Sequence, residues 1–417
     1  MKITVEKIDN VNIIISGTVD NSLIEKKVSL LKEQATQDTL ETTDTDAFQR
    51  DAEGQALQDF IESGMKEANI AQDEILGQPS FRKYEKQEHG LDIEVEISIS
   101  PVIDTNVEYM DIVPSYTKPT VDAEAVDATL AKVAVQQAPF TQIVAPRAVK
   151  SGDLVVIDFE GFLNGRALQG ANEQGYKLKM GSKTLMPGFE EQVIGMKPNE
   201  EKVIKVTFPK NYQAEALAGK ETEFNVTLQE IHEQVALEIN DALAKKTLND
   251  ENATLDTLKV MLTEQVSSQA FSNLYTSTLK PQIIQGLLTK FDFTLPNNVV
   301  EQEIDGKVNE RAQNMSKEEL VLYQESKEKF KALRESMRAE ASDSIKAALI
   351  VDALAKKEGI DVSEEEVLSA LTNQAQISGQ KPDELIAYYK TNNLMTAVKV
   401  GLIEDKLFSR MLGLDKR

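Results

Sequence analysis

The sequence predicts a multidomain α+β protein, because three stretches of it differ in their hydrophobic periodicity and glycine content. At 417 residues the chain is longer than one ordinary hydrophobic core accommodates. Residues 1–114 mix strand-like alternation with helical periodicity, the middle of the chain has short strand patterns between glycines, and the chain beyond residue 231 is patterned as helices. We therefore expect an N-terminal α+β domain, a small, mainly β domain and a large all-α C-terminal domain.

The N-terminal domain is expected to span residues 1–114. Ser22 and Glu25 form a capping box ahead of one helix, because each side chain can satisfy a free amide at the helix start. A second helical pattern passes through residues 57–65. Three segments alternate apolar and polar residues as half-buried strands do: residues 3–5, 11–15 and 91–100.

Residues 115–150 are predicted to form a linker arm. A helix-like stretch at residues 121–137 is bracketed by prolines on both sides, and proline tends to stop helices. The bracketing residues are Pro114, Pro119, Pro139 and Pro146.

The small β domain is predicted for residues 151–231, and the helical domain for residues 232–417. Three short apolar or alternating pieces mark the β domain: residues 154–159, 203–208 and 224–228. Within the helical domain Pro281 is expected to interrupt a helix, while Leu295-Pro296 and residues 359–363 are expected to separate helices.

Composition excludes several classes of site. The chain has no cysteine and two histidines, so we expect no disulfide, no metal site and no cofactor. A net charge of −23 argues against direct, sequence-specific nucleic-acid binding. No membrane-length apolar run and no apolar signal segment is evident, so we expect a cytoplasmic protein without a membrane partner.

The most specific segment runs from Lys183 to Glu191, with the sequence Lys183-Thr184-Leu185-Met186-Pro187-Gly188-Phe189-Glu190-Glu191. Together with the flanking motifs, this segment resembles the FKBP family over about 80 residues. The flanking motifs are Val156-Ile157-Asp158-Phe159-Glu160-Gly161, Val206-Thr207-Phe208-Pro209, Tyr212 and Phe224-Asn225-Val226. The resemblance implies an FKBP-like antiparallel β domain with a short helix and peptidyl-prolyl cis-trans isomerase activity.

The resemblance also implies which residues form the isomerase pocket. The matching positions are Phe159, Leu168, Tyr176, Leu185, Met186, Phe189, Tyr212 and Phe224. By resemblance, Phe189 forms the floor, the Met186 amide receives a client carbonyl, and Tyr212 donates a hydroxyl hydrogen bond. Two positions depart from the family pattern: Leu168 stands where phenylalanine is usual, and Gln169 where many members carry an acid.

The order of the regions resembles the trigger factor family, ribosome-associated chaperones with an FKBP-type domain. Weak C-terminal landmarks agree, among them Leu295-Pro296 and Pro382-Asp383-Glu384-Leu385. The resemblance implies that the C-terminal helices form a chaperone domain. It also implies two kinds of partner, unfolded or nascent polypeptide and the ribosome.

The predicted ribosome-docking loop departs from that family. Trigger factors usually carry a basic Gly-Phe-Arg-x-Gly-Lys loop between the two N-terminal helices. Here residues 33–62 contain nine acidic residues and one basic residue, Arg50, which gives −8. Ribosomal RNA phosphates should repel such a segment, so ribosome binding is doubtful. A cationic alternative is offered by Lys26, Lys27 and Lys32 on the first helix.

Two functions are consistent with the sequence. The first is a folding chaperone that holds newly synthesised or unfolded polypeptide and isomerises X–Pro bonds. The second is a non-catalytic holdase or assembly factor with a weak isomerase pocket and no ribosome docking, suggested by Leu168 and Gln169. A periplasmic isomerase-chaperone is disfavoured, since no signal segment is evident.

Overall fold

The computed structural model describes residues 2–34, 45–209, 212 and 217–414. Contacts within the chain define two compact units. One combines residues 1–116 with residues 275–417, and the other spans residues 117–274. The four-domain division at residues 114, 150 and 231 stays a prediction.

The N-terminal part of the first unit is a four-stranded antiparallel sheet covered by two helices. The strands are β1 (Lys2–Lys7), β2 (Asn12–Asp20), β3 (Ser80–Gln87) and β4 (Gly90–Ser98), in the spatial order β1-β2-β4-β3. The helices are α1 (Asn21–Gln34) and α2 (Thr45–Ala68). Their apolar faces meet the sheet in one core that includes Ile15, Phe60 and Ile93.

Two details of this part differ from expectation. Helix α1 begins at Asn21, so the predicted cap Ser22 lies inside the first turn. Strand β3 was not predicted, because it lies at the edge of the sheet with most of its side chains exposed. The three predicted strands are confirmed.

The helical part of the first unit follows a π-helical turn at Tyr275–Leu279. Its helices are α7 (Lys280–Lys290), α8 (Asn297–Gln313), α9 (Lys317–Glu325), α10 (Lys327–Lys357), α11 (Glu364–Ser378), α12 (Pro382–Thr391) and α13 (Met395–Met411). The predicted breaks are confirmed, since Pro296 precedes α8 and Ser363 caps α11. Pro281 lies in the first turn of α7, directly after a π-helical turn that interrupts the α-helix ending at Leu274, so the predicted interruption is confirmed as well.

A buried asparagine joins the sheet to the helical part of the same unit. The Asn12 side chain is fully buried, and its Nδ2 donates to the Leu295 carbonyl at 3.0 Å. Its Oδ1 accepts from the Asn297 amide at 2.8 Å and from the Ser98 hydroxyl at 2.7 Å. Asn12 is therefore hydrogen-bonded to residues almost 300 positions away, as its separations of 283 and 285 show.

The second unit combines a five-stranded antiparallel sheet with helices. The strands are β5 (Phe140–Gln142), β6 (Leu154–Leu163), β7 (Arg166–Lys179), β8 (Glu201–Thr207) and β9 (Glu221–Gln234). Their order is β5-β9-β6-β7, and β8 also pairs with β9. The helices are α3 (Ala123–Gln136), the short α4 (Phe189–Val193), α5 (Asp241–Leu248) and α6 (Leu255–Leu274).

The helical region begins later than the sequence predicted. Strand β9 continues to Gln234 because Ile231 is buried in the β core and His232 pairs with both β5 and β6. The first helix after it, α5, starts at Asp241 behind an Asn240 cap. Among the helices described, none is long and apolar enough to cross a membrane.

Candidate functional site

Four aromatic side chains from separate elements meet inside the five-stranded sheet. Phe159 lies on β6, Tyr176 on β7, Phe189 at the start of α4 and Phe224 on β9. The Phe159 ring centroid lies 5.6 Å from that of Tyr176, 6.2 Å from Phe189 and 6.2 Å from Phe224. The rings meet edge to face, a favourable arrangement for aromatic pairs. We call these four residues the aromatic cluster.

The sheet brings the cluster together through strand β6. Phe159 on β6 has β7 on one side and β9 on the other, so all three strands contribute a ring. Gly161 makes room for this arrangement. A Cβ atom at that position would stand 2.7 Å from the Phe224 ring and 3.1 Å from the Ala171 Cβ.

Leu185 and Met186 pack on the same core as the cluster and remain partly exposed. The Met186 carbonyl accepts a hydrogen bond from the Phe189 amide at 3.1 Å. Among the described residues, none accepts the amide hydrogen of Met186. A donor that has no partner beside an aromatic wall can receive a carbonyl from a bound peptide.

The other two predicted pocket residues lie apart from the cluster. Tyr212 is 42% exposed, and its ring packs on Phe208 with a centroid separation of 4.7 Å. Leu168 lies on β7 and is half-buried, but it is not among the residues packed on the aromatic core. The side chain of Gln169 lies outside the part of the structure that is described. Six of the eight predicted residues thus share one core.

A cavity of about 510 Å³ lies beside the segment before α4. Its lining includes Leu185 and Met186 together with Ser151, Gly181, Glu190 and Ile194.

Glu190 was given no role from the sequence, yet its side chain is buried at 6% exposure. No local pattern in the sequence distinguishes Glu190 from its exposed neighbour Glu191.

Arg147, Asp153 and Glu233 form an ion cluster near the start of β6. Arg147 makes two hydrogen bonds to the Asp153 carboxylate, at 2.6 and 2.8 Å, and one to Glu233 at 2.9 Å. Burial alone would raise the pKa of Asp153, but hydrogen bonds from Arg147 and the Lys150 amide hold this pKa below its ordinary value. The cluster ties the chain entering β6 to the end of β9.

The predicted docking loop, residues 37–49, lies largely in the stretch 35–44, outside the described residues. The cationic alternative is partly neutralised, because Lys27 forms an ion pair with Asp59 at 2.7 Å. On α2, the carboxylate of Glu53 is engaged by Lys86 at 2.9 Å. Lys27 and Glu53 are therefore each paired with an opposite charge within the chain.

Two family models match the chain. The C-terminus of the bacterial trigger factor protein matches residues 254–412, and the FKBP-type peptidyl-prolyl cis-trans isomerase matches residues 145–229. The second match contains all eight predicted pocket residues.

Full-length relatives extend the similarity to the N-terminal region. The trigger factor of a Sulfurovum species is 49% identical, over 99% of this chain and 100% of that protein. The chain belongs to the trigger factor family. The trigger factor of a Nitratiruptor species is 42% identical over 88% of this chain and 84% of its own length. That of Wolinella succinogenes is 36% identical over 99% of both.

A solved structure has the same fold. It comes from a study of promiscuous substrate recognition in folding and assembly activities of the trigger factor chaperone. It aligns with 99% of each chain at a TM-score of 0.51 and 19% sequence identity. The predicted fold class, an N-terminal α+β region, an FKBP-type antiparallel sheet and a helical C-terminal region, is thereby confirmed.

Proposed function

We propose that this chain holds unfolded or newly synthesised polypeptide and catalyses cis-trans isomerisation of X–Pro peptide bonds. The observation that carries the catalytic part is the aromatic cluster next to the unpartnered Met186 amide. This combination supplies an apolar wall and one well-placed donor.

Isomerisation needs no acid, base or metal. Rotation about the peptide bond has a barrier of about 18–20 kcal/mol, because amide resonance is lost in the twisted state. The twisted amide is less polar than the planar one. A dry, aromatic-walled pocket that binds the twisted form better than the planar form therefore lowers the barrier. The Met186 amide would fix the neighbouring carbonyl during rotation.

The direct test is a refolding assay limited by proline isomerisation. Uncatalysed exchange takes roughly 10–100 s at 25 °C, so acceleration by micromolar chain is readily measured. We expect the slow phase to shorten in proportion to chain concentration. Refolding of a protein without a slow proline phase serves as the control and should not change. An unaltered slow phase would refute the catalytic part of the proposal.

The holding part of the proposal is assigned to the C-terminal helices. Helices α9 and α10 expose large apolar side chains, among them Val321, Leu322 and Phe330. Exposed apolar side chains of this size suit the transient binding of unfolded chains. The relative of known structure is described as recognising its substrates promiscuously.

A second candidate function is a holdase with a weak isomerase pocket. It is favoured by the positions of Leu168 and Tyr212, which lie apart from the aromatic cluster. The same refolding assay separates the two candidates when it is run beside an aggregation assay. A chain that suppresses aggregation without shortening the slow phase would be a holdase alone.

A further inference from the structure

The segment between β7 and α4, residues 180–188, has an unusual backbone. Three of its residues have left-handed φ angles: Gly181 at 92°, Lys183 at 56° and Gly188 at 88°. Glycine adopts this conformation freely, whereas a residue with a Cβ atom, such as Lys183, does not. The segment therefore needs contacts from outside itself to hold its shape. We call it the left-handed loop.

Those contacts come from the Glu190 carboxylate. Its Oε2 accepts a hydrogen bond from the Gly181 amide at 2.6 Å. Its Oε1 accepts from the Thr184 amide at 3.1 Å and from the Ser182 hydroxyl at 3.2 Å. The Ser182 oxygen in turn accepts from the Thr184 hydroxyl at 2.7 Å. One buried carboxylate thus binds three donors of a single loop.

The loop leads directly into the candidate pocket. Leu185 and Met186 follow Thr184 without an intervening element, and both pack on the aromatic core. The chain then enters α4 at Phe189, so the Met186 amide lies between Thr184 and Phe189, two residues that are both held in place. A shift of the loop would move the amide donor and the Leu185 side chain together.

We infer that Glu190 is a positioning residue for prolyl isomerisation: it fixes the left-handed loop, and through it the Met186 amide and the Leu185 wall. The inference rests on the proposed isomerase function. In this role Glu190 acts through the loop, because its carboxylate is occupied by the three loop donors. It keeps the Met186 amide and the Leu185 side chain in the positions in which they bind the twisted peptide bond.

The decisive variant is Glu190→Gln. The glutamine side chain has the same size, but its NH₂ group must face either the Gly181 amide or the Thr184 amide, and both are donors. We expect kcat for a short proline peptide to fall about tenfold, the size of one lost charge-assisted hydrogen bond. KM should stay within about twofold, because a group that acts only on the transition state changes kcat alone.

The matched control is Glu201→Gln, which makes the same charge change at an exposed residue of β8, outside the lining of the cavity. This variant should keep the wild-type kcat. A wild-type chain without isomerase activity would refute the proposed function. An active wild type whose Glu190→Gln variant matches Glu201→Gln would refute the positioning role alone.

Two further measurements keep the inference testable if Glu190→Gln unfolds the domain. Ser182→Ala removes one donor from the exposed side of the loop and should lower kcat about threefold with an unchanged melting temperature. In the full chain labelled with ¹⁵N-glycine, the Gly181 amide proton should resonate downfield because it binds a carboxylate. An ordinary Gly181 shift, or Ser182→Ala activity equal to wild type, would overturn the role of Glu190.

Discussion

Tyr212 and Tyr176 are both predicted pocket residues that carry a hydroxyl group, but they differ in surroundings. The Tyr176 ring meets Phe159 edge to face, whereas Tyr212 is substantially exposed beside Phe208. Because the Tyr212 side chain lies outside the aromatic core, a change to it should leave that core intact. Its hydroxyl group is therefore best tested by a substitution that removes a single oxygen.

We expect Tyr212→Phe to lower kcat/KM about fivefold, which corresponds to one ordinary hydrogen bond of about 1 kcal/mol. The melting temperature should not change, because the ring that packs on Phe208 is retained. The control is Tyr388→Phe, which removes a hydroxyl from an exposed tyrosine on α12. Equal kcat/KM values for the two variants would show that the Tyr212 hydroxyl contributes nothing.

The sequence predicted the aromatic residues of the candidate site but not Glu190, whose carboxylate accepts hydrogen bonds from the left-handed loop. Phe159, Phe189 and Phe224 follow from their motifs, and the fold places their rings in contact. Glu190 was missed because an acid in the first turn of a helix is usually solvated. Its burial depends on the conformation of residues 181–184, which no local pattern encodes.

Phe189 also limits what mutagenesis can show. It is only 1% exposed, so it belongs to the packed core as much as to a pocket floor. Removing its ring would cost about 3–5 kcal/mol of stability and could abolish activity by unfolding the domain. Substitutions at Tyr212 and Ser182, which are exposed, avoid this ambiguity.

At the scale of elements, helix α2 contains two glycines in opposite environments. A Cβ atom at Gly64 would stand 2.4 Å from the Ile15 side chain on β2, whereas at Gly54 it would meet nothing within 4 Å. Gly64 thus permits the helix to approach the sheet closely, and Gly54 is free to change.

We expect Gly64→Ala to destabilise the N-terminal sheet by about 1–3 kcal/mol, because the core there must shift. Gly54→Ala should instead stabilise α2 by about 0.5–1 kcal/mol, since alanine loses less entropy in a helix. Amide hydrogen exchange of β2 and α2 reports this part of the chain separately. Similar changes in stability for the two variants would mean that α2 does not pack closely against Ile15.

The elements missed from the sequence are those that carry little periodicity. Strand β3 has charged and aromatic residues on both faces, because it lies at an edge and buries neither face fully. Strand β7 contains Gly170 and Gly175, both with positive φ, which removes the apolar alternation of a regular strand. The strongly patterned strands β2 and β4 were predicted, because one face of each is buried in the core.

At the scale of the whole molecule, holding and isomerisation should be separable. Strand β5 pairs with the end of β9, and the Ile143 amide donates to the Ile231 carbonyl at 3.0 Å. Residues 152–230 can therefore be replaced by a short linker near this point. We expect the shortened chain to suppress aggregation of an unfolded client as well as the full chain does.

The control for this experiment is circular dichroism, which reports whether the remaining helices are folded. Loss of suppression in a folded, shortened chain would place the holding surface within residues 152–230. Retained suppression of aggregation together with lost prolyl isomerase activity would support the proposal that the C-terminal helices hold clients and residues 152–230 carry the isomerase site.

Ribosome binding is the property for which the family and this sequence disagree. Residues 37–49 contain Asp38, Glu41, Asp44 and Asp46 and no basic residue. A Debye length of about 8 Å at physiological salt does not screen such charges at contact with RNA. We therefore expect much weaker co-sedimentation with salt-washed ribosomes than is typical of the family.

The variants that test this expectation are charge reversals at Lys26 and Lys27. Lys27 is paired with Asp59, so its reversal should change ribosome binding little. A matched control is charge reversal at Lys381 on the surface of the helical region, where the side chain pairs with Glu384. Stoichiometric pelleting of the unaltered chain, abolished by reversal at Lys26 and Lys27, would show that α1 replaces the missing loop.

The junction at Asn12 has a consequence for the time course of synthesis. At roughly 5–20 residues per second, the partners of Asn12 at residues 295 and 297 are made roughly 15–60 s after Asn12 itself. The sheet of β1 to β4 can form from residues 2–98 alone, with water on the polar atoms of Asn12. Its attachment to the helices must wait until most of the chain has been translated. A newly made copy therefore passes through a stage in which its N-terminal region has been synthesised but cannot yet dock on the helices.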